Sequence, residues 1–363
     1  MRVLHILALG GAGGIESLSV DVAQTSSDEN YFYFLWGGGK NAERIAQLTQ
    51  HIQIRNFKTK NAFSEYRYFE RYCLENKIEC VVVQGVSPMM IVFATVLKVT
   101  HPNIKEVLYM HNDATYVLKK SKERIPFKIA YHYCDGCIAI SNFVKESVKK
   151  AIGDNKKVQV IYNGVNVRNF VKKVNIIEDD DHLHMIFVGR LIKEKGVDNI
   201  LKAMAVSCNL DCKLTVVGDG PDREPLKRKS EELGLNSKVD FVGIQWNIPQ
   251  WLKKADVFVH PCEWNEGFGI TLVEAMASGI PCVAFNKGAI PEIIDDQING
   301  FIVKDSTTEA LAQELQEIQT LRKDNKEKWA ALRTAARKKA EEFSVENYVQ
   351  KLSMYLRDLE TTK

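Results

Sequence analysis

The sequence is short of one-sided charge, of long apolar runs and of clustered cysteine. Its 49 lysines and arginines nearly balance 46 aspartates and glutamates, for a net charge of +3. A nucleic-acid binder would carry a pronounced basic excess, so that class is not expected. The longest mostly apolar run, Met89 to Leu97, spans nine residues with Thr95 inside it, whereas a bilayer-spanning helix needs about 20. The opening run Val3–Leu9 stops at glycines and reads as a first strand rather than a signal segment. The expectation is a cytoplasmic protein, integral in no membrane. Eight cysteines (73, 80, 134, 137, 208, 212, 262 and 282) are spread over 363 residues, too thinly for a disulfide scaffold. Cys134 and Cys137 have ligand-like spacing, and Cys208 with Cys212 is the other close pair. That is a weak zinc signal, and buried free thiols are the expectation.

What is present is an ordinary globular balance, 45% hydrophobic and 26% charged, over a length that suits two domains. Short β-rich runs alternate with helical patterns. Val3–Leu9, Tyr31–Trp36, Cys80–Gln84, Glu106–Met110, Gly136–Ile140 and Val158–Ile161 form a first series. Met185–Val188, Lys213–Val217, Val239–Val242, Val257–His260, Pro281–Phe285 and Gly300–Val303 form a second. Such alternation means parallel sheets with helices on both faces. The charged, aperiodic stretch from Val171 to His184 reads as linker. The expected domains are 1–165, a linker over 166–184, 185–343, and a tail 344–363. In the tail Ser344 is a good N-cap, and Tyr348, Leu352, Tyr355, Leu356 and Leu359 make a helical apolar stripe for which the front domain is a candidate surface. Charge is uneven: residues 1–165 hold 21 basic and 15 acidic residues, leaving 28 basic and 31 acidic for the rest.

Four glycine-bearing turns follow strands. Gly10-Gly11-Ala12-Gly13-Gly14 opens a helix, where backbone N–H groups can approach phosphate. The third glycine of a dinucleotide fingerprint would fall on Glu16, and no acid ends the second strand, so NAD is disfavoured. Gly189-Arg190…Lys195-Gly196 places two cations at a strand end ahead of a helix, an arrangement that suits a diphosphate, although a solvated charge cluster would look the same. Gly218-Asp219-Gly220-Pro221 is a third strand–helix turn. The fourth, Glu263 to Gly279, carries Glu266 in a loop and Glu274 in a helix, with Gly269 and Ile270 at its N-terminus. Carboxylates accept strong hydrogen bonds from sugar and ribose hydroxyls. Asp179-Asp180-Asp181 falls in the linker and reads as a solvated run rather than a metal site.

Over nearly its whole length the sequence resembles retaining glycosyltransferases of the GT-B fold, in particular glycosyltransferase family 4. The resemblance rests on Gly13-Gly14-Ile15-Glu16, Ile161-Tyr162-Asn163-Gly164-Val165-Asn166, Gly189-Arg190…Lys195-Gly196, Val217-Gly218-Asp219-Gly220-Pro221 and the glutamate pair 266 and 274. It implies an α/β protein of two doubly wound Rossmann-like domains facing across a cleft, with the last helix crossing back to the first domain. It further implies that Arg190 and Lys195 hold a donor diphosphate, that Glu274 bonds the ribose, and that Glu266 contacts the transferred sugar. Gly14, Gly218, Gly269 and Ile270 would line the donor, and His111 matches the histidine near the reacting centre. Cys262 stands where serine is usual and Gly288-Ala289 where Gly-Gly is common, both expected to be tolerated. Asn112 follows His111 where aspartate is usual, which leaves the acceptor contacts open.

The implied activity is metal-independent hexosyl or N-acetylhexosaminyl transfer from a nucleotide-diphosphate sugar, UDP-linked by preference, with retention at the anomeric carbon. The acceptor would be a glycan or a lipid-linked sugar of cell-surface polysaccharide or glycoconjugate assembly. No cofactor is expected, since the nucleotide-sugar is a substrate. The basic stretch Lys119–Lys128 would attract an anionic bilayer at the inner face of the cell membrane, but a plain solvated surface would carry the same residues. A catalytically silent partner subunit, a sugar-nucleotide epimerase and a phosphorylase are the alternatives. The intact Arg190, Lys195, Glu266 and Glu274 set speak against the first, the glutamate pair against the second, and chain length against the third.

Overall fold

The computed structural model describes residues 1–11, 13–58, 61–154, 156–170, 182–207 and 209–361. Two compact units divide the chain: Met1–Gly164 with Val345–Lys363, and Val165–Ser344. Most of the expected linker, and with it Asp179–Asp181, lies outside the described residues, as does Cys208.

The first unit is a seven-stranded parallel sheet. Its strands are β1 (Arg2–Leu7), β2 (Glu29–Phe34), β3 (Ile52–Ile54), β4 (Cys80–Gln84), β5 (Lys105–Met110), β6 (Gly136–Ala139) and β7 (Val158–Val160), in the order β3-β2-β1-β4-β5-β6-β7. β4 reads Cys-Val-Val-Val-Gln and is buried throughout, as expected of a strand covered by helices on both faces. β3 was not foreseen. It is a three-residue edge strand with Ile54 exposed, too short for a periodic signal. Helix Ser121–Tyr133 was not foreseen either; Pro126 interrupts it. Helix Asn142–Ile152 follows its rules closely: Ser141 Oγ accepts from Val144 N at 3.1 Å, and Gly153 ends the helix at φ +87°. Helix Val345–Thr361 belongs to this unit. Its Tyr348, Leu352 and Leu356 are buried, and Arg357 Nη2 donates to Asp28 Oδ1 at 2.8 Å.

The second unit is a six-stranded parallel sheet of β8 (Leu183–Val188), β9 (Cys212–Val217), β10 (Val239–Gly243), β11 (Val257–His260), β12 (Cys282–Phe285) and β13 (Gly300–Val303), ordered β10-β9-β8-β11-β12-β13. β8 starts two residues before the expected strand because Leu183 is buried and already pairs with Cys212. Val167 and Phe170, within the stretch read as linker, are buried too. Phe187, Val216, Val259 and Val283 supply the sheet's contribution to one apolar core, met by Ile200, Leu311, Leu315 and Trp329 from the helices. In each unit the strand order reverses once, between β1 and β4 and between β8 and β11. Open α/β sheets bind ligands at the carboxyl ends beside that reversal.

Candidate active site

The turns after β8, β9, β11 and β12 are laced together at the carboxyl edge of the second sheet. Gly189 N donates to Val217 O at 3.0 Å, and Leu191 N to Asp219 O at 2.9 Å. Gly218, at φ +137°, lies so close to Gly189 that a Cβ would collide with the Gly189 carbonyl. On the other side Glu194 O accepts from Glu263 N at 2.9 Å and from Cys262 Sγ at 3.2 Å. Gly196, at φ +74°, abuts the Pro261 carbonyl. The Arg190–Lys195 turn is therefore clasped between its two neighbours. Arg190 follows β8 with an exposed guanidinium that has no partner among the described residues.

Lys195 and Glu266, 71 residues apart, form an ion pair with Nζ 2.6 Å from Oε2. His260, at the end of β11 and buried, brings Nε2 to 3.4 Å from the same oxygen. Burial opposes ionisation of Glu266, but His260 and Lys195 outweigh it and hold the carboxyl at about 2. Burial would lower the Lys195 ammonium, yet Glu266 leaves it raised. Burial also keeps His260 below the ordinary imidazole value. Glu266 is thus an acceptor-only carboxylate at neutral pH and no proton donor. The backbone of Glu266 is fixed as well: its carbonyl accepts from Ala289 N at 2.8 Å, and Gly288, at φ +60°, approaches so closely that a Cβ would come within 2.6 Å of Glu266 N.

Gly269 starts helix Ile270–Ala277 at φ +98°, with no side-chain cap. The N-terminal amides of Ile270 and its neighbours face no capping oxygen, an arrangement that favours an anion. A Cβ on Gly269 would stand 3.6 Å from Glu266 Cγ, so this helix start adjoins the ion pair. Glu274 is half-buried one turn further along the same helix. His260, Cys262 and Glu266 offer ligand-type atoms within 4.8 Å of one another. The Lys195 ammonium already neutralises the carboxylate there, and burial raises the Cys262 thiol away from its thiolate. These residues fit an internal ion pair better than a cation site.

Gly14 and His111 belong to the first unit. Gly14 is the first residue of helix Gly14–Thr25, and the Glu16 side chain folds over Gly13 ahead of it. His111 follows β5, buried, with Nε2 2.7 Å from Gln84 Oε1 and its ring stacked on Tyr109 at 4.3 Å. Burial alone pushes its pKa down to about 3. Two neighbours escaped the sequence reading. His260 looked like the last residue of a strand, and Gln84 like the polar end of an apolar run. Only side-chain contact reveals them.

Among the cysteines, Cys73, Cys80, Cys134, Cys137, Cys212, Cys262 and Cys282 are buried free thiols. No helix among the described residues is long and apolar enough to cross a membrane.

Comparison with known proteins places this geometry. An uncharacterized glycosyltransferase of Haemophilus influenzae is 23% identical over 355 residues, 95% of this chain and 96% of that protein. A lipopolysaccharide 1,6-galactosyltransferase of Salmonella typhimurium is 31% identical over 174 residues, 46% of this chain and 48% of that protein. The crystal structure of HepE from Anabaena in complex with UDP shares the fold with a TM-score of 0.87, at 21% identity, over 99% of this chain and all of that one. The family model for Glycosyltransferase Family 4 matches residues 13–169, and that for Glycosyl transferases group 1 matches 169–339. The chain is a family 4-like glycosyltransferase of the GT-B fold.

Proposed function

We propose that the protein transfers a hexosyl or N-acetylhexosaminyl residue from a UDP-linked donor to a glycan or lipid-linked acceptor in cell-surface polysaccharide or glycoconjugate assembly, with retention of configuration and without a metal ion. The observation that carries this reading is the Lys195–Glu266 pair set beside the uncapped start of helix Ile270–Ala277. HepE, which shares the fold, was crystallised with UDP and with UDP-glucose. In this reading the helix start, Arg190 and Lys195 receive the diphosphate, Glu274 bonds the ribose, and Gly218, Gly269 and Ile270 let the donor approach the backbone. Glu266, ionised and fixed, accepts from hydroxyls of the transferred sugar. Gly14 offers an amide to donor phosphate or sugar, and His111 lies at the reacting centre.

Cleaving the sugar–phosphate bond leaves negative charge on the diphosphate and positive charge at the anomeric carbon. Preorganised cations and amides stabilise the former more in the transition state than in the ground state. They supply the charge for which other transferases use a metal. With no evident side-chain nucleophile, the acceptor attacks from the face the phosphate leaves, and a leaving-phosphate oxygen takes its proton. The first unit adds a surface for the acceptor. Helices Pro88–Thr100 and Ser121–Tyr133 pack together, and each has an exposed apolar stripe: Val92, Val96 and Val99 on one, Ile125, Ile129 and Tyr133 on the other. Five basic residues, Lys119, Lys120, Lys122, Arg124 and Lys128, flank the second stripe. Such a surface suits peripheral attachment to an anionic bilayer.

A thermal-shift series with UDP-, GDP- and ADP-sugars tests the donor assignment. UDP-sugars should raise the melting temperature by mass action. Arg190→Ala and Glu274→Ala should each abolish that rise while leaving the unliganded melt nearly unchanged. Full stabilisation by UDP-glucose in both variants would refute the site.

A further inference from the structure

A one-way chain of buried and half-buried polar groups crosses four strands of the first sheet. His111 Nε2 lies 2.7 Å from Gln84 Oε1, and Gln84 Nε2 lies 3.0 Å from His5 Nδ1. His5 Nε2 lies 3.0 Å from Asn30 Oδ1, and Asn30 Nδ2 donates to the Asp28 carbonyl at 2.8 Å. The groups stand on or beside β5, β4, β1 and β2, which are neighbours in the sheet in that order.

The last partner sets the direction of the whole chain. A carbonyl only accepts, so Asn30 must point its NH2 at Asp28 and its oxygen at His5. His5 Nε2 therefore carries the proton. A neutral imidazole has one N–H, and burial keeps His5 neutral, so its Nδ1 accepts. Gln84 must then donate to His5 and turn its oxygen to His111, and His111 Nε2 carries the proton. His111 Nδ1 is left as a bare lone pair, buried and without a partner. The rings are further held by stacking, His111 on Tyr109 at 4.3 Å and His5 on Phe32 at 5.3 Å.

We infer that Gln84 is a positioning residue for the transfer reaction, locking His111 in the Nε2–H tautomer so that Nδ1 is left only as a hydrogen-bond acceptor. His5 and Asn30 extend the lock to a backbone carbonyl that cannot reverse. The inference rests on the proposed place of His111 at the reacting centre. Its structural half stands independently, since the tautomer can be read with no substrate present.

The test uses the full chain labelled with 15N-histidine, and long-range 1H–15N spectra that distinguish the two neutral tautomers, with His111→Gln assigning the signal. The wild type should show His111 as Nε2–H at pH 7.5. Gln84→Met, similar in volume and unable to bond, should shift that signal toward a tautomer mixture. It should also lower kcat for UDP release from UDP-glucose at least tenfold with KM for the donor within twofold. Gln84→Glu keeps an acceptor for His111 but places a carboxylate beside it, and should move the acid limb of the pH profile upward by a unit or more. A wild-type signal from the Nδ1–H tautomer overturns the inference. So does a Gln84→Met protein whose spectrum and kcat match wild type, or one whose tautomer is released with kcat unchanged. If the wild type neither releases UDP nor is stabilised by any UDP-sugar, the donor reading fails on its own account, and the spectra alone decide the lock.

Discussion

Glu266 shows opposing forces on a single carboxylate. Burial alone would hold it protonated, but an ammonium at 2.6 Å and an imidazole at 3.4 Å keep it ionised down to about 2. His5 and His111, buried in the first sheet, behave oppositely, because nothing of opposite charge faces them. His5 is held at about 4 and His111 at about 3, both by burial. Between about pH 6.5 and 4 the unfolded chain protonates these histidines and the folded chain does not. Their contribution is therefore complete above pH 6.5 and drains away as pH falls, each adding a slope of up to about 1.4 kcal/mol per pH unit. Glu106, raised to about 8 by burial, acts with the other sign, so the comparison must be between variants. In urea melts from pH 6 to 4.5, His5→Gln should flatten the pH dependence by roughly one such increment. An unchanged slope would mean that His5 already takes its proton in the folded state. The Glu266 contribution is lost only below about pH 4.5, outside that window.

Glycine turns do the corresponding work among the elements. Gly288 and Gly234 share a left-handed backbone, at φ +60° and +69°, but differ in surroundings. A Cβ on Gly234 meets nothing within 4 Å, whereas one on Gly288 meets the backbone of Glu266. Alanine at either position costs about 1–2 kcal/mol of backbone strain. Only Gly288→Ala must also displace the backbone of Glu266. Gly234→Ala should keep full turnover of UDP-glucose, while Gly288→Ala should lose more than tenfold and still melt cooperatively. Equal turnover in the two variants would show that the β12 turn does not hold the carboxylate. Other glycines made the site's turns readable: Gly189, Gly218 and Gly269 each lie between a strand and a helix, which is a local pattern. β3 had no such pattern in its three residues, and helix Ser121–Tyr133 was hidden by Pro126 and by its run of lysines.

At the scale of the whole chain, charge is partitioned as the fold is. The first 165 residues carry 21 basic and 15 acidic groups, a net of +6, and five of the basic ones flank the Ile125–Ile129–Tyr133 stripe or lie within its helix. Each basic residue near an anionic surface is worth about 1 kcal/mol, and the attraction is screened by salt. The protein should float with vesicles of mixed phosphatidylglycerol and phosphatidylcholine but not with phosphatidylcholine alone. Sodium chloride at 0.5 M, or roughly that, should release it, and Ile129→Glu should weaken binding at low salt. Flotation indifferent to lipid charge would remove the peripheral-membrane reading.

The sequence by itself determined the class of fold and the turns that carry the site. Buried strands, glycine turns and helix starts are written in neighbouring residues and need no knowledge of what lies across the sheet. Only the tertiary structure decided which side chains meet. Lys195 reaches Glu266 across 71 positions, and Gln84 reaches His5 across 79. Those encounters depend on strand order, because a parallel sheet sets side by side strands that are distant along the chain. Cys262 and Ala289 make the same point: they depart from the usual residues, yet the Sγ of one and the backbone N–H of the other hold the loops around Glu266 in place.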